Sequence, residues 1–167
     1  MEYAPAEDTF FLLDSLPKHS DSALEIGCGS CYIIARINAK FKVGCDIRRP
    51  SNLHGDFNFV LCDGKRLPFR DSSFELIFFN PPYLPSDGIQ DPAVDGGKGG
   101  VEMAIHFLEE SVRVLKGNGH IFTVLSSLSD LNMFRKKLKE LKLRFYEMEK
   151  KLFFEELHVF NIYAHKG

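Results

Sequence analysis

A carboxamide, two prolines and a phenol ring stand in a row at Asn80-Pro81-Pro82-Tyr83. The run before them, Phe74-Glu75-Leu76-Ile77-Phe78, is dense in aromatic and branched side chains and reads as a buried parallel strand. Prolines cannot extend a sheet ladder, so the chain must leave the strand near Asn80 and open a loop. In open α/β sheets the C-terminal edge of the strands is where ligands bind. At that edge Asn80 can accept hydrogen bonds from a flat –NH2 group, beside backbone carbonyls with no competing N–H, while Tyr83 packs against the plane of the group. On this tetrapeptide alone, an ordinary Pro-Pro turn closing a strand stands as the alternative.

A second group of residues lies upstream. Ala23-Leu24-Glu25-Ile26 reads as the first strand and runs into Gly27-Cys28-Gly29-Ser30, followed by a helix through Ile33, Ile34 and Ile37. Glycines there permit a tight turn and close approach of a ligand, whose negative or polar part then meets helix N–H groups. A dinucleotide fingerprint needs a third glycine at position 32, which is Tyr32, so a nicotinamide enzyme is disfavoured. Glu25 is a charged residue in an otherwise apolar strand and calls for a polar partner, for which a cationic ligand group is one candidate. The second strand, Phe41 to Cys45, ends in Asp46, 19 residues after Gly27, where a carboxylate can accept from two ribose hydroxyls; an acid opening a loop is the alternative. The third strand, Phe57 to Cys62, ends in Asp63-Gly64, where an acid can accept from an exocyclic amine.

The elements that must position these groups follow an alternating strand and helix order. Pro5 to Thr9 opens a helix with Phe10, Leu13 and Leu16 on one face, stopped by Pro17. The link from Asp46 to Phe57 is too short for a crossover helix with its loops. Leu84 to Gly100 is a long Pro- and Gly-rich segment of the kind that serves as a lid. A helical stripe at Val101, Ala104, Ile105, Leu108, Val112 and Leu115 is expected to end at Lys116-Gly117, before a fifth strand from His120 to Leu125. Ser129 or Asp130 can cap a helix with Leu131, Phe134, Leu138 and Leu141 inward, its basic outer face reading as solvated rather than as an RNA contact. Two last strands, near Leu143–Lys150 and Leu157–His165, form an antiparallel pair.

Length and composition bound the classes. With 167 residues and 44% hydrophobic content, residues 1–167 read as one domain with a substantial core. Net charge is −2, residues 101–167 being mildly basic, which does not suggest a general nucleic-acid or membrane binder. The absence of a leader pattern or a membrane-length apolar run predicts a soluble cytoplasmic protein. Of four cysteines, Cys28 and Cys31 form a Cys-x-x-Cys pair; reduced, structural thiols are the favoured reading over a redox or zinc role.

Taken in order, Glu25-Ile26-Gly27-Cys28-Gly29, Asp46, Asp63 and Asn80-Pro81-Pro82-Tyr83 at successive strand ends resemble the class I S-adenosyl-L-methionine-dependent methyltransferases of the HemK type. Members of that family methylate the side-chain nitrogen of a glutamine in translation release factors. Tyr3 to Thr9 and Gly96-Gly97-Lys98-Gly99-Gly100-Val101-Glu102 resemble its compact archaeal and eukaryotic branch, and the resemblance covers nearly the whole chain. It implies a Rossmann-like α/β fold: a sheet of about seven mostly parallel strands with an antiparallel C-terminal hairpin and helices on both faces. It implies that Thr9, Glu25, Gly27 and Gly29 surround the methionine portion of the cofactor, with Asp46 at the ribose and Asp63 and Gly64 at the adenine. Asn80 would serve both cofactor and acceptor, the Pro81 carbonyl would share the target –NH2, and Pro82 and Tyr83 would lie beside it. Methyl transfer would be direct, with no metal. The resemblance also implies a small zinc-containing activator subunit on the third strand, Phe57–Leu61, as an exposed edge. Two departures stand out: Cys31 replaces a usual glycine, and the Asp46-to-Phe57 link is short. The alternatives are N6-adenine methylation of DNA or RNA, less favoured for a slightly acidic chain without an added recognition domain, and a thiol redox module built on Cys28 and Cys31.

Overall fold

The structure is a computed structural model that describes residues 5–82 and 100–164; Tyr3, Ala4, Tyr83 and the Leu84–Gly99 part of the expected lid lie outside them. Helix α1 (Glu7–Ser15) carries Glu7 and Asp8 in its first turn, where acids complement the helix dipole, and stops at an extended Leu16 before Pro17. Strand β1 (Ser20–Ile26), the short helix α2 (Tyr32–Arg36) and strand β2 (Ala39–Asp46) follow. Strand β3 (Asn58–Leu61) comes next, with no helix in the link before it, then β4 (Phe74–Phe79). Helix α3 (Glu102–Val114), β5 (Leu115–Ser126), α4 (Leu131–Glu140), β6 (Leu143–Lys151) and β7 (Glu156–Ala164) complete the order.

The seven strands make one sheet in the order β3-β2-β1-β4-β5-β7-β6. Strands β1 to β5 are parallel, while β7 runs antiparallel to both β5 and β6. The chain winds outward from β1 through β2 to β3, then crosses back to place β4 on the other side of β1. The boundary between β1 and β4 is therefore the switch point at which an open α/β sheet forms its ligand crevice.

Both faces of the sheet are covered, which is why β4 is apolar almost throughout. Ile77 and Phe79 join Leu108, Phe134 and Phe160 in the core under α3 and α4. Leu76 and Phe78 point the other way, to Leu12, Ile34 and Val159 under α1 and α2. Asp130 caps α4 by accepting from the Met133 N–H at 3.0 Å. Two of the basic side chains on α4 are committed to neighbours: Arg135 to Glu147 on β6, with Nη2 to Oε2 at 2.8 Å, and Lys137 to Glu109.

Two expected boundaries shift together: α3 stops short of Lys116-Gly117, and β5 begins at Leu115 rather than His120. Helix α3 ends at Val114, not at Lys116-Gly117, because Leu115 is already extended (φ −79°, ψ 134°) and pairs with Phe74 as the first residue of β5. Gly117 lies inside β5 rather than at a helix cap, and Gly119, two residues on, serves close approach. A Cβ at Gly119 would stand 2.6 Å from both the Glu75 carbonyl oxygen and the Leu115 side chain.

Candidate active site

Register brings the predicted residues to one edge. Ile26 pairs with Cys45 on one side and with Phe79 on the other, so Gly27, Asp46 and Asn80 stand side by side where β1, β2 and β4 end. Asp46 pairs with Leu61, which sets Asp63 and Gly64 just beyond the end of β3. The turn after β1 is tied to β2 by two bonds: Cys28 N–H to the Cys45 carbonyl at 2.9 Å and Gly29 N–H to Asp46 Oδ2 at 2.8 Å. Gly29 has φ +54°, and a Cβ there would meet no described residue within 4 Å. The backbone thus favours glycine, and no described residue fills the space above it. Cys31, the N-cap of α2, has φ +61° and makes no capping side-chain bond. This is a conformation that costs an L-residue roughly 1–2 kcal/mol and explains why glycine suits the position.

The missing cap on α2 is supplied from the strand. Glu25 is 4% exposed, and its Oε1 accepts from the Ile34 N–H at 3.0 Å, three residues past the N-cap, where an N-cap side chain would normally reach. Burial holds the Glu25 carboxyl well above the usual carboxylate range, against the opposing pull of the Ile34 bond. The side chain therefore has a structural partner in addition to any ligand it serves.

Asp46 is half-buried and also accepts from the Arg48 N–H at 3.2 Å. Asp63 is exposed and accepts from the Lys65 N–H at 2.9 Å, an Asx turn that aims the chain back under the edge. Gly64 fits there only without a side chain: a Cβ would lie 2.6 Å from Ile26 Cγ2 and 2.6 Å from Phe107 Cε1. Gly64→Ala is expected to lower stability by about 1–3 kcal/mol through this overpacking, seen as a lower thermal midpoint. An unchanged midpoint would mean that Phe107 swings aside freely. The Phe107 ring also packs edge-on to Phe79 at 5.6 Å and lies 3.5 Å from the Cβ position of Gly27, so one residue of α3 props three of the strand ends. Sequence reading missed Phe107, choosing Ile105 and Val112 for the inner stripe. The series Ala104, Phe107, Leu108, Ser111 and Val114, which the structure buries, has the same helical spacing and would have found it.

Thr9 is buried at the start of α1, where its N–H donates to the neighbouring Asp8 carboxylate at 2.8 Å. Asn80 is half-buried, Pro81 buried and Pro82 half-buried immediately after β4. Tyr83 lies outside the described residues. Cys28 and Cys31 are 6% and 1% exposed and belong to the core under α1 and α2. The Cys31 side chain and burial push the Cys28 thiol up, away from the thiolate that redox chemistry needs.

Along 95% of its length the chain is 34% identical to a Methanocaldococcus jannaschii protein designated a candidate protein N5-glutamine methyltransferase, 90% of which is covered. The chain belongs to the HemK-type class I methyltransferases. No family model matches it. Among solved structures, this methyltransferase is similar to the Mtq2–Trm112 complex of E. cuniculi, responsible for methylation of the eRF1 translation termination factor. That match has a TM-score of 0.76 at 21% identity and covers 98% of this chain and 99% of the other. It is also similar, with a TM-score of 0.68 at 14% identity, to the Haloferax volcanii complex of the Trm112 methyltransferase activator with a candidate methyltransferase, covering 96% and 90%. These similarities carry the fold: the methyltransferase has the Rossmann-like sheet with its antiparallel C-terminal pair that the resemblance implied. No helix among the described residues is long and apolar enough to cross a membrane.

Proposed function

We propose that this methyltransferase transfers a methyl group from S-adenosyl-L-methionine to the side-chain nitrogen of a glutamine in a translation release factor. The observation that carries the reading is the meeting, at the β1–β4 switch point, of a buried carboxyl, an open glycine turn and the Asn80-Pro81-Pro82 strand end. The donor set suits the cofactor. Glu25 offers a buried carboxylate to a cationic amine, with Thr9, Gly27 and Gly29 around the amino-acid portion. Asp46 retains lone pairs for ribose hydroxyls, and Asp63 with Gly64 takes the adenine. When bound, the cofactor supplies an electrophilic methyl group on a sulfonium. Asn80 Oδ1 and the Pro81 carbonyl accept from the target –NH2, which orients its nitrogen, with Pro82 and Tyr83 against the amide plane. Neither acceptor is a base, so they act by orientation; transfer would exchange the S–CH3 bond for an N–CH3 bond, leaving the cofactor as a neutral thioether, and the surplus amide proton would pass to solvent.

The same reading supplies an activator site. Strand β3 is an edge with four residues, Leu61 is 64% exposed, and Ile47, just past the Asp46 that pairs with Leu61, is 57% exposed. The short link leaves this edge without a covering helix, a form suited to strand addition by the small zinc-containing activator subunit that the resemblance implies, the related complexes each holding a Trm112. We assign the enzyme to the cytoplasm, where release factors act.

The test is calorimetric titration with S-adenosyl-L-methionine, with and without such a subunit, followed by radiolabelled methyl transfer to release factor and to DNA and RNA. Saturable binding, lost in Asp46→Ala, and label on a release-factor glutamine are expected. Label on adenine alone would replace this reading with N6-adenine methylation.

A further inference from the structure

The hairpin between β6 and β7 carries two phenylalanines at its tip, Phe153 and Phe154, which are 91% and 87% exposed. Single exposed apolar residues are ordinary, but here two adjacent rings pack edge-on at 4.6 Å, each supporting the other's position. The tip is braced at its base. The Leu152 N–H donates to the Glu155 carbonyl at 2.8 Å, the Ser127 N–H to the Glu156 carbonyl at 2.8 Å, and Lys150 pairs with Glu7 at the start of α1 at 2.9 Å. Rings held in this way lose little freedom when covered, which is the property of binding anchors.

Topology places the pair on the acceptor side. Strand β6 ends at the same edge of the sheet as β4, because it runs antiparallel to β7, which runs antiparallel to β5. Thr123 is level with Phe79, and Ser126, three residues further, is level with Leu157 and through it with Lys150. The hairpin therefore rises ~10 Å or more above the end of β4. It stands three strand spacings away, ~14 Å. An amide group at Asn80 cannot reach it; a folded protein carrying that amide must pass it. Strand β3 lies at the opposite end of the sheet, six spacings or ~29 Å from β6, so an activator on that edge leaves the tip uncovered.

We infer that Phe153 and Phe154 are the anchor by which the enzyme holds the body of its protein acceptor, apart from the glutamine side chain itself. This rests on the proposed protein-glutamine reaction. It is tested with Phe153→Ser/Phe154→Ser, assayed with the activator present against intact release factor and against a short peptide bearing the same glutamine. Expected is a roughly 10- to 100-fold fall in kcat/KM for the intact protein, arising in KM. The peptide rate, S-adenosyl-L-methionine affinity and thermal midpoint should be unchanged. Equal loss with the peptide, or no loss with either substrate, overturns the inference while leaving the reaction in place. Loss of activator binding or of a dimer in sedimentation assigns the tip to another partner and also overturns it. A wild-type enzyme that leaves release factor unlabelled overturns the reaction itself and this inference with it.

Discussion

Asn80→Ala is expected to lower kcat by about 100- to 1,000-fold, the range for removing one oriented hydrogen-bonding group that acts in the transition state. Its carboxamide directly follows a buried strand whose two prolines end the ladder, so the backbone that carries it is fixed by β4 rather than by the side chain. Truncation should therefore leave the thermal midpoint nearly unchanged, Asn80 being only half-buried. KM for the acceptor protein should move little, since one amide contact is a small part of a protein docking surface. Single-turnover transfer with enzyme in excess isolates the step: a slow first turnover at normal cofactor occupancy is the expected result. Full activity towards the true substrate in this variant would remove Asn80 from the reaction and leave the strand end as a plain turn.

The strand ends were legible because their chemistry is local. Pro81 and Pro82 lack the donor that a ladder requires, and Asp46 and Asp63 each follow an apolar run, so the sequence marks where β4, β2 and β3 stop. Residues whose roles depend on distant partners were not legible. Gly117 looks like a helix cap because glycine commonly ends helices, and only the pairing of Leu115 with Phe74 shows that the strand has already begun. Phe107 became a support for the site through contacts to Gly64, Gly27 and Phe79, which lie from 28 to 80 residues away in the chain. Cys31 departs from the usual glycine and takes a glycine-like φ of +61° with the thiol in the core, so the departure is carried as backbone strain at the turn. The buried Glu25 was read correctly as needing a polar partner. That the partner includes the Ile34 N–H required knowing that α2 begins with no cap of its own.

With the proposed cofactor contact added to the observed cap, Glu25→Gln is expected to have effects of opposite sign on folding and on binding. A glutamine keeps an oxygen where Oε1 accepts from Ile34, so the start of α2 survives the change. It removes the charge that burial disfavours, and stability of the cofactor-free protein should rise at neutral pH. With its pKa raised, the folded wild-type protein holds the carboxyl proton to higher pH than the unfolded chain does. Its stability must then fall as pH rises from the ordinary carboxylate range through the raised value. The glutamine variant should lack that part of the pH dependence. Cofactor affinity should move the other way, weakening by roughly 10- to 100-fold, as expected for losing a charge-assisted hydrogen bond of about 1.5–3 kcal/mol. A cationic amine also draws the wild-type carboxyl into its ionised form, so binding at mildly acidic pH should release a proton that the variant does not. Titrations in two buffers of different ionisation enthalpy measure that proton directly. Equal affinity of the two proteins, with no difference in proton release, would confine Glu25 to capping α2 and require the cationic end of the cofactor to be held by another group.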